Sequence, residues 1–258
     1  MKSPFYGARL KIERAKKHIR DLNALLVSEV VQGHLHAIRV ESDPDTGCDS
    51  LKFELSQAVP EEFMCIVGDA LHNLRTSLDF VANDIEFAAT GQRTKYTKFP
   101  VYDTQDKLKA AVNGGFKHKA PERVVNFIVD VVQPYEGGDG DYIWALDALD
   151  IEDKHRLLIP HLQWQWIRNI RYKDESGEVF VVPEWAATGE HMPDFPTGKR
   201  NVEVIDKGNS TVSIVFSHGL PLGGKHIFPT LSNLASVVSR TVDNIERVFL
   251  AGCPRSRF

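Results

Sequence analysis

The chain lacks most of the features that mark membrane-spanning, secreted and disulfide-stabilised proteins. Its 258 residues include three cysteines, Cys48, Cys65 and Cys253, with no C-x-x-C pair, which argues against a zinc ribbon or a thioredoxin-type motif. No apolar run approaches the roughly 18–20 residues that span a bilayer, and the N-terminus lacks the apolar segment of a secretory signal. We therefore expect a cytoplasmic protein without membrane contact, with reduced thiols and with Cys65 buried on a helix.

The common phosphate-binding and nucleophile motifs are also missing. The sequence has no G-x-x-x-x-G-K-[ST] loop, no G-x-G-x-x-G after a predicted strand and no G-x-S-x-G elbow, so no nucleotide cofactor is expected. The net charge of −4 lacks the basic excess of a protein that binds nucleic acid over its whole surface. A local basic patch stays open, because the first predicted helix carries several basic residues that suit either a solvated surface or a phosphate-facing one.

Hydrophobic periodicity predicts an α+β fold. Apolar residues recur at helical spacing in six segments: 9–32, 60–89, 104–112, 121–132, 142–158 and 230–250. Alternating segments predict strands: 34–41, 51–57, 98–101 (a short edge strand), 161–173, 178–182, 201–206 and 211–216. Because the strands cluster instead of alternating with helices, we expect a helical bundle with an antiparallel sheet and a C-terminal helix packed on it.

The predicted organisation is one domain over residues 1–258. Its first part, 1–160, is mainly helical with a two-stranded ribbon, 161–229 forms the sheet region, and 230–250 closes the chain. Trp164 and Trp166 alternate on a predicted strand, which places both on one face. That face either packs in the core or forms a partner surface.

The second predicted helix separates polar from apolar residues around its axis. At about 100° per residue, one side is polar: Asp69, His72, Arg75, Thr76 and Asp79. Asn73 belongs to the same segment, and Gly68 would let another chain segment approach closely. Such side chains hydrogen-bond in fixed geometries, so they suit either a buried structural network or a functional site.

The segment from Asp147 to Arg156 is charged although it lies between apolar flanks. Helical projection places His155 near Trp144 and Ile151, on a face expected to be buried. Burying charges requires partners. We expect those partners on the polar side of the second helix: Asp69 or Asp79 for His155 and Arg156, and His72 or Arg75 for Asp150 and Asp153.

These two segments carry a resemblance to known proteins. Residues 68–79, Gln133-Pro134-Tyr135 and residues 150–156 resemble a group of uncharacterised bacterial and phage proteins that share a G-D-x-x-H-N-L-R-x-x-L-D-H helix and a D-K-H-R element. The similarity covers most of the chain up to about residue 159. It implies a shared fold more than a function.

The same helix resembles the R-x4–6-H signature of HEPN-superfamily helical bundles. Many of these are metal-independent ribonucleases of defence or toxin systems that act as dimers, with an arginine at the phosphate and a histidine for proton transfer. Arg75 matches the arginine, whereas Phe80 stands at the histidine position. The resemblance implies an RNA- or nucleotide-directed protein of a bacterial defence or mobile-element system, with a possible homodimer, and leaves His72 or His155 as substitutes.

Three functional hypotheses follow. The first is metal-independent phosphodiester cleavage by His72, Arg75, His155 and Arg156, supported by Asp69, Asn73, Asp79, Asp150, Asp153 and Lys154. The second is a non-enzymatic binding or assembly module in which the two charged helices form a structural salt-bridge lock. The third, weaker hypothesis is a divalent metal held by Asp69, His72 and Asp79 with Asp150 or Asp153; the first two hypotheses require no metal.

Overall fold

The computed structural model describes residues 4–32, 35–55, 59–92, 94, 96–158, 160–187 and 191–251. Within these ranges the chain forms six α-helices: α1 (Tyr6–Val31), α2 (Glu61–Thr90), α3 (Gln105–Gly114), α4 (Glu122–Phe127), α5 (Asp141–His155) and α6 (Ile227–Leu250). A short 3₁₀ turn, Phe116–His118, precedes α4, and a π-helical turn, Ile128–Val132, continues it. No helix in the described ranges is long and apolar enough to cross a membrane.

The strands form two antiparallel sheets in the described part of the chain. Seven strands are present: β1 (His36–Ser42), β2 (Asp49–Leu55), β3 (His161–Lys173), β4 (Val179–Ala186), β5 (Phe195–Lys199), β6 (Glu203–Asp206) and β7 (Asn209–Val215). The first sheet has the order β1-β2-β5. In the second, the long strand β3 pairs with β4 along one edge and with β7 and β6 along the other.

Helix α2 lies at the centre of the helical part, because it packs against α1, α5 and α6. Its apolar side and the stripe of α6 expected from periodicity, from Leu231 to Phe249, are buried in one large cluster. A second cluster lies between the sheets and includes Leu51, Trp164 and Tyr172. The α+β prediction is therefore confirmed. Leu162 packs against both clusters and so joins the two cores at one point. The organisation as one domain stays a prediction.

In the sheet region one local prediction is wrong and one strand was not predicted. Trp164 pairs with Val212 whereas Trp166 pairs with the adjacent Thr211, so a β-bulge at Gln165 places the two indoles on opposite faces. Trp164 is buried in the second cluster, while Trp166 is half-buried beneath the guanidinium of Arg168. The strand β5 was not predicted, because Pro196 and Gly198 disfavour a strand and are tolerated at a sheet edge.

The predictions for residues 98–101 and for Cys65 are also wrong. Residues 98–101 form an extended connection without a strand partner. Cys65 is exposed, because it lies on the opposite side of α2 from the apolar stripe that includes Phe63 and Val67. Cys48 is half-buried, and Cys253 lies outside the described residues.

Candidate functional site

The two charged segments meet where α2 packs against α5. At Gly68 an added Cβ would lie 2.7 Å from Cγ of Asp153, so the absence of a side chain at Gly68 leaves room for the Asp153 carboxyl between the two helices. The expectation that residues 68–79 and 147–156 come together is confirmed. The pairing between them differs in part from the expected one.

Arg75 is the centre of the contact and is buried, its side chain being 7% exposed. Its Nε donates to Oδ1 of Asp147 on α5, and its Nη1 donates to Oδ1 of Asp79 at 2.6 Å. Its Nη2 donates to the carbonyl oxygen of Phe99 at 3.2 Å. One guanidinium therefore joins two helices and the connection that follows α2.

Asp79 holds the same connection from the other side. The backbone N–H of Phe99 donates to Asp79 Oδ1 at 2.8 Å, and Asn83 donates to the carbonyl oxygen of Thr97 at 2.9 Å. Side chains of α2 thus satisfy the backbone groups that an edge strand would have paired, which explains why residues 98–101 remain extended without a ladder partner.

The charges of this network stabilise Arg75 as a cation. Burial disfavours the charged guanidinium, but the neighbouring carboxylates of Asp79 and Asp147 outweigh that effect and raise the pKa of Arg75. Because those carboxylates already occupy the guanidinium, it is not presented to a phosphate group. Its geometry is that of a structural ion-pair network.

His72 and Asp150 form a second contact between the two helices. Asp150 is buried, and its Oδ1 accepts a hydrogen bond from Nδ1 of His72 at 3.0 Å, as predicted. Lys154 donates to the other carboxylate oxygen of Asp150. With Nδ1 protonated, Nε2 of the neutral ring accepts from the hydroxyl of Thr76 at 3.3 Å. The His72 side chain is 50% exposed, so solvent reaches the ring.

Asp153 lies near the pair of His72 and Asp150, and its surroundings raise the pKa of its carboxyl. Burial raises the pKa of the Asp153 carboxyl, and the charges of Asp150 and Asp69 raise it further. A hydrogen bond from the backbone N–H of Leu158 and the nearby His72 act in the opposite direction without cancelling the shift. The carboxyl therefore takes up a proton more readily than an isolated aspartate.

Asn73 and Asp69 link the network to α1. Asn73 is buried, donates to the carbonyl oxygen of Asp69 at 2.8 Å and accepts from Nζ of Lys11 at 3.3 Å. Asp69 itself is exposed. These contacts place both residues at the edge of the network and give Asn73 a packing role between α1 and α2.

The prediction for His155 and Arg156 is wrong. Both side chains are exposed, and neither forms an ion pair or a side-chain hydrogen bond with a residue that the structure describes. The helix ends at His155, and its buried face is centred on Leu146 and Leu149, so that Ile151 is 50% exposed. His155 therefore points away from the core, and Asp79 pairs with Arg75 instead.

A cleft of about 450 Å³ opens beside the Arg75 network. Residues 96–102, the end of α3, the 3₁₀ turn and α5 form its walls. Three lysines line it, and they differ in their partners: Lys119 contacts Glu86 at 3.2 Å, Lys154 contacts Asp150, and Lys98 is exposed without an ion pair to any described residue. Tyr96, which is 77% exposed, also lines the cleft.

A buried acid, Glu86, supports this wall and was not predicted from the sequence. Glu86 is 3% exposed and accepts hydrogen bonds from the hydroxyls of Thr94 and Thr97. Burial alone would raise the pKa of Glu86, but the hydrogen bonds from Thr97 and Lys119 hold it below its usual value. The available signal was its helical spacing from Arg75 and Asp79, which places Glu86 on the same polar side of α2.

The metal hypothesis finds no geometric support among the described residues. In those ranges no three His, Cys, Asp or Glu side chains are grouped so that they could hold a metal ion. Asp79 faces Arg75, whereas His72 and Asp150 face each other, so the proposed ligands are divided between two networks.

Comparisons with known proteins add no assignment. No protein-family model, curated protein or solved structure matches the chain.

Proposed function

We propose that this protein is a binding module for a phosphate-bearing ligand, a nucleotide or the end of an RNA chain, with the Arg75 network as its structural lock. The observation that carries the proposal is that the cations around the cleft differ in their burial and in their partners. Arg75 is buried and paired with two aspartates, whereas Lys98 lines the cleft without an ion pair among the described residues.

The lysines suit this ligand because each ammonium group supplies three hydrogen-bond donors to phosphate oxygens. Lys119 and Lys154 are fixed by carboxylates at the wall of the cleft, so they add cationic groups at defined positions. The ring of Tyr96 adds a face on which a base can stack. The lock keeps this wall in place through the contacts of Arg75 and Asp79 with Phe99.

Binding is tested by isothermal titration of the full chain with AMP, a 5′-phosphorylated RNA trinucleotide and inorganic phosphate. We expect AMP and the trinucleotide to bind, and Lys98→Ala to weaken both about tenfold, which is the loss of about 1.4 kcal/mol. Lys117→Ala is the matched control, because Lys117 is an exposed lysine of the adjacent 3₁₀ turn that does not line the cleft. Equal affinities of the two variants would contradict the proposal.

A second candidate function is metal-independent phosphodiester cleavage, favoured by the hydrogen-bonded chain of Thr76, His72 and Asp150. Asp150 fixes the tautomer of His72, and the half-exposed ring can transfer a proton. In this scheme Lys154 replaces Arg75 as the nearby cation. Cleavage of a fluorogenic RNA that is lost in His72→Gln and retained in His155→Gln would support it. Absence of cleavage by the unmodified chain would eliminate it.

A further inference from the structure

A second cavity, of about 210 Å³, lies between the π-helical turn, the start of α5 and α6. It shares no lining residue with the cleft beside Arg75. Much of its wall is apolar: Phe127, Val131, Val132, Ile143 and Val237. At ~30 Å³ for each water molecule, its volume corresponds to about seven waters, which suits a small ligand with an apolar part.

Two opposite charges line this apolar cavity without neutralising each other. Asp139 and Arg240 are both exposed lining residues, and they form no ion pair with each other. Neither side chain forms an ion pair or a hydrogen bond with another residue that the structure describes. By contrast, Arg75 and Asp79, which have a packing role, form an ion pair with each other at 2.6 Å.

The backbone around the cavity is held in uncommon conformations. The turn Ile128–Val132 is π-helical, and it ends at Gln133, which has a left-handed φ of 49°. A residue other than glycine is strained in this conformation and keeps it where the surrounding structure requires it. Single π-helical turns occur frequently at functional sites.

Gln133 uses this conformation to fix the loop that carries Asp139. Its backbone carbonyl accepts from Gly140 N–H at 3.2 Å, and its side-chain oxygen accepts from Tyr135 Oη at 3.2 Å and from Asp139 N–H at 3.5 Å. A Cβ at Gly140 would lie 3.0 Å from the Gln133 carbonyl oxygen and closer still to that of Val132. The start of α5 is therefore pressed against the π-helical turn, so the backbone that carries Asp139 is fixed beside the cavity.

We propose that this cavity binds a free apolar α-amino acid of the size of leucine or methionine. The ligand carboxylate pairs with Arg240, its ammonium group pairs with Asp139, and its side chain occupies the apolar wall. A ligand with only one charge would leave either Asp139 or Arg240 without a counter-charge. This inference does not depend on the proposed function of the cleft.

The test titrates the full chain with leucine and two analogues that each lack one charge. Leucinamide lacks the carboxylate, and 4-methylpentanoate lacks the ammonium group. We expect leucine to bind and both Arg240→Gln and Asp139→Asn to weaken it about tenfold. The control is Asp130→Asn, which removes an exposed acid of the π-helical turn that does not line the cavity. Its affinity for leucine should be unchanged.

The analogues separate charge recognition from simple apolar binding. Arg240→Gln should weaken 4-methylpentanoate but not leucinamide, and Asp139→Asn should weaken leucinamide but not 4-methylpentanoate. Circular dichroism checks that the variants fold, which is expected because both side chains are exposed. The absence of leucine and methionine binding at millimolar concentration, or equal leucine affinity of all variants, would overturn the proposal.

Discussion

Replacement of Arg75 by methionine tests the lock directly. Methionine retains much of the side-chain length but removes the cation, so the carboxylates of Asp79 and Asp147 lose their shared partner and the Phe99 carbonyl loses its donor. Removing one partner of a buried ion pair costs about 3–5 kcal/mol. Because the two aspartate side chains are 27% and 23% exposed, water can reach them, and we expect a loss near the lower limit, about 3 kcal/mol.

The assay is urea unfolding followed by far-ultraviolet circular dichroism, with thermal unfolding as a second measurement. For a chain of this size, a loss of about 3 kcal/mol lowers Tm by roughly 6–12 °C. Lys107→Met is the matched control, since it removes an ion pair to Asp103 in which both side chains are exposed, by 60% and 64%. An exposed pair of that kind contributes about 0–1 kcal/mol.

A compensating variant separates the ion pairs from the general cost of a substitution. With Arg75→Met, the further changes Asp79→Asn and Asp147→Asn remove the repelling charges, while the amide oxygen introduced at position 79 can still accept from the Phe99 N–H. We expect the triple variant to recover part of the lost stability, because a neutral replacement of an ion-pair network is often tolerated. A loss below about 1 kcal/mol in Arg75→Met, equal to that of the control, would refute the lock.

Three further predictions concern the same helices. Gly68→Ala should lower the free energy of unfolding by about 1–2 kcal/mol despite the higher helix propensity of alanine. In an Asp153→Ala background the same change should instead raise the free energy of unfolding. Urea unfolding of the unmodified chain, the two single variants and the double variant measures both effects. Because the folded-state pKa of Asp153 is raised above its ordinary value of 3.8, its contribution to stability falls as pH rises from 3.8 through that higher pKa. The measurement is the difference in the free energy of unfolding between the unmodified chain and Asp153→Asn at each pH of this range. A difference that does not change with pH would contradict the prediction. Glu86 has the opposite sign: its pKa is lowered from 4.5, so the stability that Glu86→Gln removes should be present above pH 4.5 and decline as pH falls below it. The same urea titrations measure it, and a loss independent of pH would contradict the prediction.

Elements with strong periodicity were predictable from the sequence. The stripe of α6 is buried throughout, and α2 separates a buried apolar side from the residues that contact α5. A regular repeat of apolar residues fixes both the secondary structure and the face that packs. The meeting of the two charged segments was predictable for a related reason, since charges between apolar flanks require partners.

The pairing within the site was not predictable in the same way. Charges occur on several sides of α5, so periodicity does not define which face packs, and the rotation of the helix is set by Leu146 and Leu149. That rotation directs Asp147 toward Arg75 and leaves His155 exposed at the end of the helix. The bulge at Gln165 was equally hidden, because no glycine or proline marks it in the sequence.

The contacts give most of the conspicuous residues of segment 68–79 a packing role. Gly68 leaves room for the Asp153 side chain, Asn73 joins α1 to α2, and the pair of Arg75 and Asp79 fixes the connection at Phe99. A similar helix in another protein can therefore reflect the same packing without the same chemistry. His72 differs from these residues, because half of its side chain is exposed although Asp150 holds the ring. His72 is therefore the residue of this segment whose exposure suits proton transfer, whereas under the proposed function the lysines of the cleft would supply the charge that a phosphate requires.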